Sequence, residues 1–161
     1  MGRQKSFIAF DLGANSGRAV LGEFTDGTLN TKEIHRFPND PVEVLGTIHW
    51  DVLRLFREIK LSLEKYSSKN RLPPDSIGVD TWGVDFGLLG EKDRLIENPV
   101  HYRDDRTDGI LSQTISTSSK REIFQNTGIQ FMELNTLYQL FAIKNSHPDQ
   151  LKRSKNLLMM A

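Results

Sequence analysis

Cysteine is absent from the 161 residues, so neither a disulfide framework nor a thiolate metal site can form. An excess of either charge is lacking too, since Lys plus Arg and Asp plus Glu each number 21. That balance argues against a nucleic-acid partner, whose binding rests on basic charge gathered against phosphates. No apolar run approaches the ~20 residues needed to cross a bilayer, and no apolar signal segment opens the chain. The histidines at 35, 49, 101 and 147 show no metal-ligand spacing. Met1-Gly2-Arg3-Gln4-Lys5-Ser6 matches the loose myristoylation pattern. The apolar run from Phe7 follows at once, however, and leaves little linker for an anchor. A soluble cytoplasmic chain is expected, of single-domain size and with neither membrane nor nucleic acid as partner.

What is present reads as mixed α/β. Phe7 to Leu12 is a short apolar run, Gly13 to Gly17 is turn chemistry, and Arg18 to Phe24 is strand-like again. Asp26-Gly27 is a hairpin signal, and Thr28 to Phe37 supplies a third strand. After a loop at Pro38 to Pro41, Ile48 to Trp50 predicts a brief strand. Asp51 stands at an N-cap position, and Val52, Leu55, Phe56, Ile59, Leu63 and Tyr66 share one helical face. Ser76 to Asp80 predicts a buried strand and Val84 to Leu89 another, with Gly90 to Asp93 as a polar turn.

The second half is helical in pattern. Ser119 and Glu122 form a capping box with Gly128 as the stop, and Asn135 caps a helix ended by His147-Pro148. The apolar stretch Leu157 to Ala161 predicts either an element whose partner lies beyond this chain or a C-terminal core strand.

Two segments carry chemistry. In Asp11-Leu12-Gly13-Ala14-Asn15-Ser16-Gly17-Arg18 the glycines permit a tight turn whose successive N–H groups can cradle phosphate oxygens. Asn15 and Ser16 add donors and Arg18 a fixed charge. Asp11, at the strand end, can hold Mg²⁺ through water. An ordinary hairpin turn without a ligand reads equally well from these residues. Asp80-Thr81-Trp82-Gly83-Val84-Asp85-Phe86-Gly87 sets carboxylates and an indole beside glycines. That composition suits the hydroxyls and C–H faces of a polyol, though a core tryptophan at a strand junction is the plainer alternative. His101 to Asp108, with Arg103 among its charges, is either a hydroxyl-binding loop or a solvated one.

Together these segments resemble the FGGY carbohydrate kinases, and most closely the branch that acts on rhamnulose. Phe10 to Arg18 is similar to the family's first phosphate motif, and Ser76 to Phe86 to its sugar-side segment. Tyr102-Arg103-Asp104, Arg106-Thr107, Gly128 to Phe131 and Asn135 to Leu140 follow in the same order. The resemblance implies a ribonuclease H-like, actin-like fold of two similar domains with ATP, Mg²⁺ and sugar in the cleft. It implies phosphorylation of L-rhamnulose, or a related ketose, at a primary hydroxyl. Ala14, Asn15, Ser16, Gly17 and Arg18 map onto the ATP-phosphate loop, and Gly83 onto a sugar contact with Trp82, Asp85 and Arg103 nearby. Asp11 becomes a metal-side carboxylate. The family's catalytic base and adenosine pocket match nothing within residues 1–161. The chain is therefore expected to be part of an N-terminal domain that is inactive alone and open to self-association through its exposed cleft or C-terminal apolar segment. A non-catalytic, sugar- or nucleotide-binding regulator of the same fold is the alternative.

Overall fold

The structure is a computed structural model that describes residues 4–160, so Met1 to Arg3 and Ala161 lie outside it. In chain order the elements are β1 (Lys5–Leu12), β2 (Ser16–Thr25), β3 (Thr28–Pro38), β4 (Val42–Val44) and β5 (Thr47–His49). There follow α1 (Val52–Ser67), β6 (Ser76–Thr81), β7 (Phe86–Leu89), α2 (Ile110–Thr117), α3 (Lys120–Thr127), α4 (Thr136–Ser146), α5 (Pro148–Arg153) and β8 (Asn156–Met159). They gather into two compact units. One takes residues up to 40 with 51–82, and the other takes 41–50 with 83–160.

The first unit is a four-stranded sheet in the order β3-β2-β1-β6, antiparallel except that β6 runs parallel to β1. Asp26 and Gly27, both at positive φ, make the β2–β3 turn, as a two-residue hairpin of this composition requires. Alternation along β1 buries Ile8, Phe10 and Leu12 on one face and turns Asp11 to the other. Ile8, Phe10, Ala19, Leu21 and Tyr66 form the core, with Ile34, Ile59 and Leu63 packed against it.

Helix α1 starts where Asp51 Oδ1 accepts the Arg54 amide at 3.0 Å, a cap worth about 1 kcal/mol. Its inward stripe is Leu55, Ile59, Ser62 and Tyr66. Phe56, expected on that face, is instead 59% exposed beneath the Lys60 ammonium at 5.2 Å, because it lies one position round the helix from Leu55. His35 clasps the helix to β3: its Nε2 lies 2.7 Å from Glu58 and its Nδ1 accepts from Lys65 Nζ at 2.8 Å.

Strand β6 corrects another expectation. The apolar run predicts burial, yet Ile77 is 50% and Val79 58% exposed. The physical reason is its place at the sheet's edge: among the described residues no strand pairs beyond it. An apolar run therefore forecast a strand correctly and its burial wrongly.

The second unit is built on α4. Phe86, Leu88 and Ile143 form one cluster with Ile96, Leu140 and Leu151, and Ile110, Tyr138 and Ala142 form another with Leu111 and Phe141. Strands β7 and β8 pair antiparallel, as do β4 and β5. The apolar C-terminal residues Leu157, Leu158 and Met159 thus do form a strand, with their side chains exposed. Ser119 caps α3 through the Glu122 amide at 3.2 Å, and Gly128 ends that helix at φ 64°. Asn135 occupies the N-cap of α4 but does not cap it with its side chain, which donates to the Gln130 carbonyl at 2.7 Å.

Candidate functional site

In the first unit the Asp11–Arg18 segment is one hairpin end, with Leu12 opposite Gly17 and Asp11 opposite Arg18. Gly13 N donates to Ser16 O at 3.0 Å and closes the turn. Asn39 fixes it from outside: its Nδ2 donates to Gly13 O at 2.9 Å and its amide to Asn15 O at 3.1 Å. Sequence reasoning placed Asn39 in a plain loop and missed it, because nothing local signals a buried asparagine that props a turn far away in the chain. With the turn so held, the amides of Ala14 and Asn15 and the side chains of Asn15 and Ser16 have no hydrogen-bond partner among the described residues. Adjacent unpaired N–H groups on a rigid turn are what an anion requires.

Two details differ from the sequence reading. Gly17 is needed for space and not for a special φ. A Cβ there would lie 2.3 and 2.4 Å from Phe37 ring atoms, and Gly17 is not among the positive-φ residues. Arg18 is not a free cation either. Its Nε donates to Asp11 Oδ2 at 2.8 Å, and its Nη2 lies 2.8 Å from the same oxygen. Both side chains are about half exposed, so solvent screens the pair and it can open toward a ligand at small cost. Asp11 Oδ1 accepts no hydrogen bond among the described residues, so one carboxylate oxygen remains that a water of a hydrated Mg²⁺ would fit. No cluster of three acidic or histidine ligands occurs among those residues.

The second unit holds Gly83, Asp85 and Arg103, while Trp82 belongs to the first and is half-buried there. Gly83 is exposed, and a Cβ added to it would meet nothing within 4 Å. Val84 follows at φ 68°, so it is a turn residue and not the strand start expected of it. A β-branched residue in the left-handed region costs on the order of 1–3 kcal/mol and persists only where neighbours hold it. Here Thr136 Oγ1 donates to the Val84 carbonyl at 2.7 Å and Gln139 Nε2 at 3.3 Å, while the Asp85 amide donates to Gly83 O at 2.9 Å.

Asp85 was expected to face a sugar. The structure places it beneath the segment, fully buried, as the hub of a polar network. Trp50 Nε1 donates to Oδ2 at 2.6 Å and Gln139 Nε2 to Oδ1 at 3.0 Å. Arg106 Nη2 in turn donates to Gln139 Oε1 at 2.6 Å. Burial pulls the Arg106 pKa below its usual value, opposed by Asp104, Asp85 and Glu97. Asp104 accepts the Ile48 and Arg106 amides at 2.8 and 3.1 Å.

Above this network rings stack in order. Trp50 lies 4.0 Å from His101, His101 lies 4.6 Å from Tyr102, and the Arg103 guanidinium sits 5.3 Å over Tyr102. Arg103 is exposed at the end of that stack. His101 Nδ1 accepts the Arg103 amide at 2.9 Å, and burial lowers its pKa, so the neutral ring carries its proton on Nε2. Trp50, Gln139 and Thr136 were all missed as site residues. Only their three-dimensional convergence on residues 84–85 identifies them.

Residues 6–161 match the model described as the FGGY family of carbohydrate kinases, N-terminal domain. A rhamnulokinase from Halalkalibacterium halodurans is 45% identical over 153 residues, which cover 95% of this chain and 32% of that protein. A rhamnulokinase from Oceanobacillus iheyensis is 41% identical, covering 98% of this chain and 33% of its own. The chain thus spans about a third of the length of the curated relatives it matches. Among solved structures, gluconate kinase from Lactobacillus acidophilus superposes with a TM-score of 0.81 at 16% identity, over 97% of this chain and 31% of that one. The ligand-bound xylulose kinase from the same organism gives 0.80 at 17% identity, over 95% and 31%. At such identities the likeness is one of fold, and the fold is that of the actin-like sugar kinases.

Proposed function

The chain belongs to the FGGY family of carbohydrate kinases, and from that membership we propose that it forms the N-terminal part of an ATP-dependent kinase for L-rhamnulose or a related ketose. The phosphoryl group would go to a primary hydroxyl. The observation that carries the reading is identity of 41–45% to proteins named rhamnulokinase over nearly the whole of this chain. In this reading residues 1–161 are one portion of the N-terminal domain. The second domain, the base that takes the hydroxyl proton and the adenosine pocket lie elsewhere in a longer protein, so this chain alone transfers no phosphoryl group.

The residues divide the work as follows. The turn at Ala14 to Gly17 binds ATP phosphates, supported by the two unpaired amides and by Asn39, which holds their geometry. Arg18, paired with Asp11 at a half-exposed site, would be free to meet a phosphate oxygen, and Asp11 would be the carboxylate that holds a hydrated Mg²⁺, which would screen the phosphate charge. ATP supplies the phosphoryl group, whose transfer depends on positioning and charge stabilisation. Gly83 lets the sugar approach the backbone, Arg103 contacts it, and Asp85 serves by holding the segment through Trp50 and Gln139. The test is a coupled ADP-release assay on the gene product carrying this chain, with L-rhamnulose, L-fuculose, D-xylulose and glycerol. Turnover highest with L-rhamnulose is expected. Turnover confined to another acceptor refutes the substrate assignment, and none with any acceptor refutes the kinase.

A further inference from the structure

One contact in the first unit has the geometry of an activated nucleophile. Lys65 Nζ, on α1, donates to His35 Nδ1 at 2.8 Å, and His35 Nε2 lies 2.7 Å from Glu58 Oε2. An ammonium only donates, so Nδ1 presents a lone pair and the ring proton sits on Nε2, facing Glu58. A nucleophile beside a base, with the base oriented by a third group, is the arrangement that makes a side chain reactive. The His35 and Glu58 side chains are only 15% and 16% exposed, which fixes the ring, while Lys65 is exposed and open to a reagent. His35 follows a β-bulge at Ile34, a device common beside functional sites. Among the described residues no other lysine donates to an imidazole; Lys152 and Lys155 pair with the carboxylates of Asp149 and Glu91. A cavity of about 220 Å³ opens beside Lys65, with Lys32 and Lys69 on its wall. Neither of those two ammonium groups has a hydrogen bond or ion pair among the described residues. Glu23 and Glu33 also line it, but Glu33 is paired with Arg36 and Glu23 accepts from Gln4.

We propose that Lys65 is a modification site acylated by acyl phosphates, with His35 as the base and Glu58 as the residue that positions it. The proposal stands independently of the sugar-kinase reading. Lys32 and Lys69 hold the phosphate of the donor by charge. His35 Nδ1 takes one proton from the Lys65 ammonium, and the freed lone pair attacks the acyl carbon. The amide C–N bond forms as the acyl C–O bond breaks, and the second ammonium proton leaves with inorganic phosphate. His35 then returns its proton to solvent. Acylation removes the lysine charge from the contact with His35, one of the ties between β3 and α1. General-base assistance contributes typically about 10²- to 10⁴-fold in enzyme sites, and beside an exposed amine roughly 10-fold is expected.

The experiment treats the gene product that carries this chain with acetyl phosphate and follows acetylation at each lysine over time by peptide mass spectrometry. Wild type, His35→Gln and Glu58→Gln are compared. In wild type Lys65 is expected to react about 10-fold faster than Lys32 and Lys69. In His35→Gln, whose amide oxygen still accepts from Lys65 but is no base, that advantage should fall to about 2-fold or less. Glu58→Gln should lower the Lys65 rate as well, and it carries the test should His35→Gln fail to melt cooperatively. An uncharged acetyl ester of N-hydroxysuccinimide, run beside acetyl phosphate, tests the donor class. Excess inorganic phosphate should slow Lys65 acetylation by acetyl phosphate and leave that by the uncharged ester unchanged. A wild-type Lys65 rate equal to that of Lys69, or an advantage that the folded variants retain, overturns the proposal. Phosphate that slows neither donor, or both alike, overturns the assignment to acyl phosphates.

Discussion

Substituting Gly17 with alanine adds one methyl group where the structure has no room for it. The new Cβ would sit 2.3 and 2.4 Å from Cζ and Cε2 of Phe37, distances that carbon atoms do not tolerate. Phe37 is itself 3% exposed on the strand paired with β2, so its ring cannot swing aside without disturbing its neighbours. Gly17 lies outside the positive-φ residues, so alanine brings no backbone strain and the clash is the whole effect. Overpacking of this kind costs typically about 1–3 kcal/mol. A bulkier residue at 17 therefore costs the fold as well as the phosphate turn. Phe37→Leu removes the ring atoms that clash and leaves a buried apolar side chain. In urea denaturation followed by circular dichroism, Gly17→Ala and Phe37→Leu should each destabilise, while the double variant loses less than their sum by about 1–2 kcal/mol. Additivity within about 0.3 kcal/mol would mean that the two residues are not in steric conflict.

Asp85→Ala should destabilise the protein by at least about 1–3 kcal/mol, because Trp50 Nε1 and Gln139 Nε2 lose a buried acceptor together; chemical denaturation measures it. Burial depresses the His101 pKa below 6.5, so the unfolded chain binds the proton more readily than the folded one. Stability contributed by His101 is therefore present above about pH 6.5 and is lost as pH falls below it toward the folded pKa. His101→Asn, whose Oδ1 can still accept the Arg103 amide, should remove that share of the acid sensitivity in melting curves recorded between pH 7 and 5. Gly83→Leu has open space and should fold normally while raising the sugar KM far more than the ATP KM; equal effects on both would place Gly83 away from the sugar.

The first unit was legible almost residue by residue because its signals are local. Asp26-Gly27 dictates a turn, Asp51 dictates a helix start, and alternation in β1 dictates which face is buried. Burial of β6 was not legible, since an apolar run reads the same at a sheet's edge as at its centre, and only the pairing tells them apart. Strand β4 and helices α2 and α5 escaped notice because they are short and weakly periodic. The candidate site divides in the same way. The phosphate turn is contiguous and could be read directly, yet its prop Asn39 and the pairing of Arg18 with Asp11 depend on strand register. Asp85 could be picked out by type and position, but whether its carboxylate faced a ligand or a buried tryptophan depended on Trp50 and Gln139, which lie 35 and 54 positions away.

The central claim is transfer of phosphate from ATP to a primary hydroxyl of L-rhamnulose by the protein to which this chain belongs. It is tested most directly by incubating the gene product with MgATP and L-rhamnulose and recording a phosphorus–proton correlation spectrum of the product. The expected result is a new phosphomonoester signal coupled to the two C1 methylene protons, absent without enzyme. A phosphate coupled to a ring or secondary-carbon proton, or no phosphorylated sugar while ATP is consumed with another acceptor, would contradict it.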